Sequence, residues 1–398
     1  MSAGMVIIGG GQAGGWAAKT LRDQGYNGSI SIIADEPWDF YERPPLSKAA
    51  LLQSDAPLAR LFSEETQRAL HLRWYRPVRA EQILPEQKQL LLNNGETLPY
   101  DKLLIATGSR PRWPDSAWQA HPRVMALRNW QDAQALKQAL NQCRRLAVVG
   151  GGWIGLEIAA SARSKGIDVT LFERQALLCQ RSVNPQVSQA LWQLHQQQGV
   201  DLQCDCGEIQ LSDAAGYPQL TSAKTATQAF DLVVVGIGIE LNLELAAQAG
   251  LAIDHGIVIN GQGQTSDPAI FAAGDVARHP ELGISLQSWA FAQNQAQVAA
   301  KAMLDATTAD YQEIPWLWSD QYHCNIQILG LPAEGDTIHR PTASGGLWFT
   351  LDNQQRLQQL VAINDARTIK LAKRWIAAER VLDPAQLADS TFSLMTLR

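Results

Sequence analysis

The 398-residue chain has five cysteines, and no two of them form a CxxC pair. No cysteine–histidine group has zinc-ligand spacing, so no metal site is expected. The odd count, with Cys204 and Cys206 one residue apart, does not make a disulfide framework. Reduced thiols in a cytoplasmic protein are the expectation. Charge of one sign is also missing. Thirty-three Lys and Arg stand against 39 Asp and Glu, a net charge of −6, which excludes bulk attraction to nucleic acid or to an anionic membrane. There is no long hydrophobic run. The most apolar stretch, Leu146 to Ala160, is too short to span a bilayer and contains Glu157. The first strand is expected from about Met5, which leaves no room for a cleaved targeting peptide. The length suits two or three domains.

What the chain does have is one glycine device, twice. Met5 to Ile8 is a β-prone run followed by Gly9-x-Gly11-x-x-Gly14, a helical stretch ending at Gly25, and a second strand, Ser29 to Ala34, closed by Asp35 and Glu36. The acid stands about 20 residues after the last glycine, as in a dinucleotide-binding βαβ unit. Gly9 makes the tight turn, Gly11 lets a pyrophosphate approach the backbone, and Gly14 lets helix and strand pack closely. The free N–H groups of the helix start attract phosphate. Arg145 to Val149, Gly150-x-Gly152-x-x-Gly155, a helix, and Val169 to Phe172 with Glu173 repeat the pattern. One nucleotide needs one such module. Two modules point to two dinucleotides, a flavin and a nicotinamide.

Three more stretches each read as a strand running into small residues: "LLIATGSRP" from Leu103, "DLVVVGIGIELN" from Asp231, and "TSDPAIFAAGDVA" from Thr265. In the last, Gly274 permits close approach and Asp275 accepts from a sugar-alcohol hydroxyl. Their order resembles that of the two-dinucleotide flavoprotein reductases of the glutathione-reductase superfamily. The resemblance implies an α/β fold with two Rossmann-like domains and a C-terminal mixed α/β domain. FAD binding falls to 1–112 and 239–314, NAD(H) binding to 113–238, and an interface domain to 315–398. Many members carry a redox cysteine pair shortly after the first βαβ unit. Here that region reads "DEPWDFYERPPLSKAALL", so flavin electrons must leave to an external acceptor.

"YERPPLSK" (Tyr41 to Lys48), "LQSWAFAQNQAQVAA" and "PWLWSDQYHCNIQILG" resemble the FAD-dependent ferredoxin–NAD⁺ reductase components of Rieske-type aromatic-ring dioxygenase and cytochrome P450 systems, along the whole chain. The resemblance implies FAD contacts at Gly9, Gly11, Ala13, Gly14, Arg43, Thr107, Gly108 and Gly274, and a cofactor contact at Gly238. Asp35 would take the adenosine ribose, Ala80 the adenine side through its backbone, and Asp275 the ribityl chain. Trp289 would start the helix facing the flavin. On the NADH side stand Gly150, Gly152, Ile154, Gly155, Glu157 and Glu173. Arg174, next to Glu173, departs from a strict NADH pattern. Three residues are implied in the reaction: Lys48 near the flavin ring, paired with Glu157, and Trp318 beside the flavin at the acceptor face. The implied partner is a [2Fe–2S] ferredoxin that feeds a terminal oxygenase. A reductase for rubredoxin or a P450-type ferredoxin, or an NADH-sensing interaction protein, are the alternative readings.

Most of the 13 tryptophans are expected to be packing residues. In "ARTIKLAKRWIAAER" from Ala366, helical spacing puts Arg367, Lys370 and Arg374 on one arc with Lys373 at its edge, and turns Ile369, Ala372, Trp375 and Ile376 inward. That basic face is the expected ferredoxin dock.

Overall fold

The computed structural model describes residues 3–397. The chain packs into two units. One holds the chain up to Arg43, Leu58–Arg110 and Ile239–Glu313; the other holds Pro44–Pro57, Pro111–Gly238 and the chain from Ile314.

In the first unit a five-stranded parallel sheet runs in the order Ile270–Ala272, Lys102–Ile105, Met5–Ile8, Ile30–Ile33, Arg73–Tyr75. Every residue of Met5–Ile8 and Ile30–Ile33 is buried. Such strands are covered on both faces, which is why they read as unbroken apolar runs rather than as alternation. The helix Gln12–Asp23 packs with the helix Trp289–Leu304 through small residues, among them Ala17, Ala18, Ala296 and Ala299. The antiparallel strands Ala80–Leu84, Gln89–Leu92 and Thr97–Pro99 form a separate small sheet.

The second unit repeats the parallel sheet in the order Asp201–Gln203, Asp168–Phe172, Arg145–Val149, Leu232–Val235, Val124–Met125. It also contains an antiparallel sheet in the order Trp316–Gln321, Cys324–Gly330, Leu357–Ile363, Gly345–Leu351, Asp336–Thr342. The strand Leu357–Ile363 is sandwiched. Val361 and Ile363 join the core that contains Leu156, Ala159 and Val187, while Leu360 and Ala362 join Ile369, Ala372 and Trp375 of the helix Ala366–Ala377. Successive side chains of a strand point to opposite faces, so one sheet serves two cores. The mixed α/β character expected of 315–398 is present, and its sheet shares a core with the second nucleotide module.

One segment packs apart from its neighbours along the chain. Residues 44–57, assigned from sequence to the first nucleotide domain, pack in the second unit. Leu51 sits in one core with Leu136, Leu140 and Leu156, and the Ser47 carbonyl accepts a 2.7 Å hydrogen bond from Ser161. Local contacts of a Pro-Pro segment cannot be read from its place along the chain. Among the described residues no helix is long and apolar enough to cross a membrane.

Candidate active site

Both glycine turns have the geometry their spacing implies. Gly9 has φ +129°, and a Cβ there would lie 2.1 Å from the Ala106 carbonyl oxygen. A Cβ on Gly14 would lie 2.0 Å from the Gly9 carbonyl oxygen, and one on Gly155 would lie 2.0 Å from that of Gly150. A side chain at Gly14 or Gly155 would force turn and helix apart, and one at Gly9 would force the turn away from Ala106. By contrast, a Cβ on Gly152 would meet nothing within 4 Å, and one on Gly11 would meet only the Arg43 guanidinium, at 3.8 Å. Gly11 and Gly152 are the N-caps of their helices, and neither helix start has a side-chain cap. Open space in front of uncapped N–H groups suits a pyrophosphate in both places.

Around the first turn, Ala13 is buried. Gly274 has φ +77° and a Cβ there would come within 3.0 Å of the Ala13 methyl. Asp275 accepts from Ser109 at 2.7 Å. Thr107 and Asn242 exchange side-chain and backbone hydrogen bonds of 2.9 and 2.8 Å, which ties down the turn at Gly108, where φ is +64°. Ala80 is half-buried on its strand opposite Leu92. Trp289 opens its helix and donates to the Glu42 carboxylate at 2.5 Å. Burial holds the Glu42 carboxyl above the usual range, against the opposing pull of that hydrogen bond. Arg43 pairs with Glu36 at 2.7 Å and donates to Tyr41 at 2.9 Å. Asp35 is exposed, with Arg79 3.8 Å away. Glu36 and Glu42 were not singled out from sequence, although Glu36 is the second of two acids that end the strand.

Around the second turn, Gly150 has φ +114° and Gly238 φ +115°. Glu173 accepts from the Gly151 N–H at 2.6 Å and from the Gln175 N–H at 2.7 Å. These bonds fix its carboxylate beside the glycine turn, while Arg174 is exposed. Ile154 is also exposed, at 46%, although the next eight residues of its helix, Gly155 to Ala162, are all buried.

Lys48 and Glu157 meet, with Nζ 2.8 Å from Oε2. Glu157 is only 3% exposed. It also accepts from Ser47, and from Ser319 at 2.6 Å. Lys48 donates in addition to the Pro44 carbonyl at 3.1 Å. A buried charge is tolerated when it is paired and hydrogen-bonded, and here one cation and two hydroxyls reach the carboxylate. Ser47 and Ser319 are the residues that sequence reading missed. Ser47 sits beside Lys48 in the motif, but nothing local marks Ser319.

Trp318 does not join this cluster. It neighbours Ser319 on one strand, so its side chain faces the opposite side. There it stacks on Trp316, with centroids 5.2 Å apart and planes at 21°, and donates to Asp320 at 3.1 Å. The Lys373 ammonium lies 5.6 Å from the Trp316 ring centroid. On the helix Ala366–Ala377, Arg367, Lys370, Lys373 and Arg374 are exposed, and Ile369, Ala372 and Trp375 are buried. Ile376 is half-buried.

All five cysteines are free and lie in the second unit. Burial pushes the Cys143 thiol up to about 12 and the Cys204 thiol up to about 11.

Comparison with known proteins agrees with this architecture. Residues 4–302 match the family described as pyridine nucleotide-disulphide oxidoreductase, and residues 316–398 match the family described as Reductase C-terminal. The chain is 40% identical to the ferredoxin–NAD⁺ reductase component of the anthranilate 1,2-dioxygenase system of Burkholderia cepacia, over 98% of each. Among solved structures it is similar to the ferredoxin reductase for the CYP199A2 system from Rhodopseudomonas palustris (31% identity, TM-score 0.93, all of both chains). It is also similar to a chain of the covalent putidaredoxin reductase–putidaredoxin complex (32% identity, TM-score 0.91, all of this chain and 98% of the other). FAD and NAD(H) are the cofactors of such reductases, and the two open glycine turns fit them. The chain belongs to the pyridine nucleotide-disulphide oxidoreductase family, in a form that carries the Reductase C-terminal domain.

Proposed function

We propose that this protein is an FAD-dependent ferredoxin–NAD⁺ reductase. It takes electrons from NADH and delivers them to a [2Fe–2S] ferredoxin that serves an aromatic-ring dioxygenase. The observation that carries the reading is the combination of two open, uncapped glycine turns with a unit around the first turn that contains no cysteine. Electrons that arrive there have no thiol pair to enter and go to an external carrier. The 40% identical relative is itself a dioxygenase-system component.

The chemistry supplied by bound FAD is the conversion of one two-electron hydride donor into two one-electron deliveries. The chain's residues bind, orient and shield. Gly9, Gly11 and Gly14 with Ala13 and the adjoining helix start hold the flavin pyrophosphate, and Arg43 lends positive charge beside Gly11. Asp275 accepts from the ribityl chain. The positive end of the helix Trp289–Leu304 would face the flavin ring. Asp35 is proposed for the adenosine ribose; the half-buried Glu36 beside it is held in place by Arg43 and Tyr41. Gly150, Gly152 and Gly155 take the NADH pyrophosphate, Ile154 covers the nicotinamide side, and Glu173 takes the adenosine ribose. Lys48, ion-paired with Glu157, is proposed to order charge for hydride transfer, and Trp318 is proposed for the acceptor side. The exposed cations Arg367, Lys370, Lys373 and Arg374 receive the acidic ferredoxin.

The test is a side-by-side assay. Purified protein is expected to bind about one FAD per chain and to reduce a dioxygenase-type [2Fe–2S] ferredoxin with NADH faster than a P450-type ferredoxin or rubredoxin. Two solved relatives, at 31% and 32% identity, belong to a CYP199A2 system and a putidaredoxin complex; this favours the P450-type carrier as the second reading. Fastest reduction of that carrier would select it. Failure to bind FAD would sink both.

A further inference from the structure

Glu157 is the end of a longer buried chain. Ser319, the residue that donates to Glu157 Oε1, also lies 3.0 Å from Gln321 Nε2. Gln321 Oε1 lies 2.8 Å from His195 Nε2. His195 Nδ1 lies 3.1 Å from the Tyr322 hydroxyl. Ser319 and His195 are 0% exposed and Gln321 is 1% exposed. All of these residues belong to the second unit, on a strand and turn of its antiparallel sheet and on the helix Pro185–Gln197.

The direction of every hydrogen bond in this chain follows from one end. A carboxylate only accepts, so Ser319 spends its proton on Glu157. The Ser319 oxygen must then accept from Gln321, which places the amide NH₂ towards Ser319 and the amide oxygen towards His195. Gln321 Oε1 needs a donor, so His195 carries its proton on Nε2. Nδ1 is left as an acceptor, and Tyr322 donates to it. Burial lowers His195 to about 4, so its ring is neutral near neutral pH, with one donor and one acceptor nitrogen, as the chain needs. Each donor thus points towards Glu157, and aligned hydrogen bonds in a low-dielectric interior reinforce one another.

The far end of the chain lies in a tight turn. Tyr322 has φ +56°, in the left-handed region that favours glycine. Its ring packs edge-on against His195, with centroids 5.2 Å apart. Tyr322 and His323 form the two-residue turn that joins the strands Trp316–Gln321 and Cys324–Gly330, a place where positive φ is favoured, and the ring contact with His195 orients the hydroxyl.

We propose that Ser319, Gln321, His195 and Tyr322 are positioning residues that hold the Glu157 carboxylate, and through it the Lys48 ammonium, by a one-way chain of hydrogen bonds. The proposal rests on the reading of Lys48 and Glu157 as residues of the hydride-transfer site. It adds to that reading a part of the C-terminal sheet and a helix with no glycine motif.

The test uses the FAD-loaded full chain and has two arms. Histidine-selective ¹⁵N NMR at neutral pH, with His195→Gln to assign the signal, reports the tautomer without any turnover. A neutral ring protonated on Nε2, perturbed by Gln321→Leu, is the expected result. A proton on Nδ1 would reverse the chain and overturn the proposal. The second arm is stopped-flow reduction of the flavin at saturating NADH, with Gln321→Leu in the wild-type and the Glu157→Gln backgrounds. Gln321→Leu is expected to slow reduction about five-fold or more in the wild type and less than about two-fold in Glu157→Gln, because residues acting through one another are not additive. An equal factor in both backgrounds marks a merely structural residue and overturns the proposal. If Gln321→Leu loses FAD, Ser319→Ala takes its place in the same cycle. Wild-type rates in Glu157→Gln alone would refute the reading of the Lys48–Glu157 pair, and the tautomer would still decide whether the chain exists.

Discussion

Lys48 and Glu157 form a 2.8 Å ion pair within one packed unit, although Lys48 follows the first glycine motif and Glu157 follows the second. Ser47 and Ser319 donate to the same carboxylate, one on each oxygen. Removing either partner leaves the other without its counter-charge; the Glu157 carboxylate is 3% exposed and the Lys48 side chain 18%, and such a loss typically costs a fully buried charge about 3–5 kcal/mol. Lys48→Met leaves Glu157 with two hydroxyl donors. Glu157→Ala leaves a lysine with only a carbonyl acceptor. Both are expected to slow reduction of the bound flavin by about ten-fold or more, with Glu157→Ala also lowering thermal stability further. Stopped-flow rates, read with FAD content and the melting curve, check the order. Wild-type rates in both variants would take the pair out of the reaction.

NADH is expected to be preferred over NADPH. The Glu173 carboxylate is pinned by the Gly151 and Gln175 N–H groups, so it does not swing away from a 2′-phosphate. Two unit charges about 4 Å apart at an effective dielectric near 20 repel by about 4 kcal/mol. Solvent and the exposed Arg174 reduce that, which leaves roughly 10- to 1000-fold in kcat/KM. Glu173→Ala narrows the ratio. Equal use of the two nucleotides by the wild type would contradict the assignment.

Thiol chemistry is expected to be irrelevant to turnover. Burial raises the pKa values of Cys143, Cys179, Cys204, Cys206 and Cys324. The reactive thiolate is therefore scarce near neutral pH. Iodoacetamide is expected to modify the native protein slowly, and a cysteine-free variant that folds is expected to reduce ferredoxin within a few-fold of the wild type. Intact FAD binding with lost turnover would reveal a redox thiol.

Reversing Lys370 and Arg374 to glutamate is expected to raise the KM for ferredoxin several-fold at low salt. Such charges mainly steer encounter, so the difference shrinks as salt is added. Reduction of ferricyanide by NADH is expected to change little. Unaltered ferredoxin kinetics would make this helix face an ordinary solvated surface.

His195 gives the fold a pH dependence of known sign. Its pKa falls from 6.5 to about 4 on folding, chiefly through burial. Between these values the unfolded chain binds the extra proton, so stability is present above about pH 6.5 and is lost as pH falls towards 4. The loss expected from this group between pH 7 and 4.5 is about 2–3 kcal/mol. Denaturant midpoints of wild type and His195→Gln at the two pH values isolate it. An identical pH response in both proteins would show that His195 is not held neutral.

The sequence alone determined the parts whose physics is local. A glycine turn between strand and helix is specified by residues a few positions apart. Gly14 and Gly155 accordingly lie where a Cβ would collide with the carbonyl of the glycine five positions earlier, and Gly9 and Gly150 have positive φ. The inward and outward faces of the helix Ala366–Ala377 were also legible, because helical periodicity sorts Ile369, Ala372 and Trp375 from Arg367, Lys370 and Arg374. Tertiary structure decided whatever depends on segments that are distant along the chain. It placed residues 44–57 in the second unit, drew Ser319 rather than its neighbour Trp318 to Glu157, and joined Ser319 to His195 through Gln321. A buried carboxylate must fill its hydrogen-bonding positions with whatever donors packing brings near. Serine, glutamine and histidine are too common to mark themselves in advance, so their role emerges only when three separate elements meet in one core.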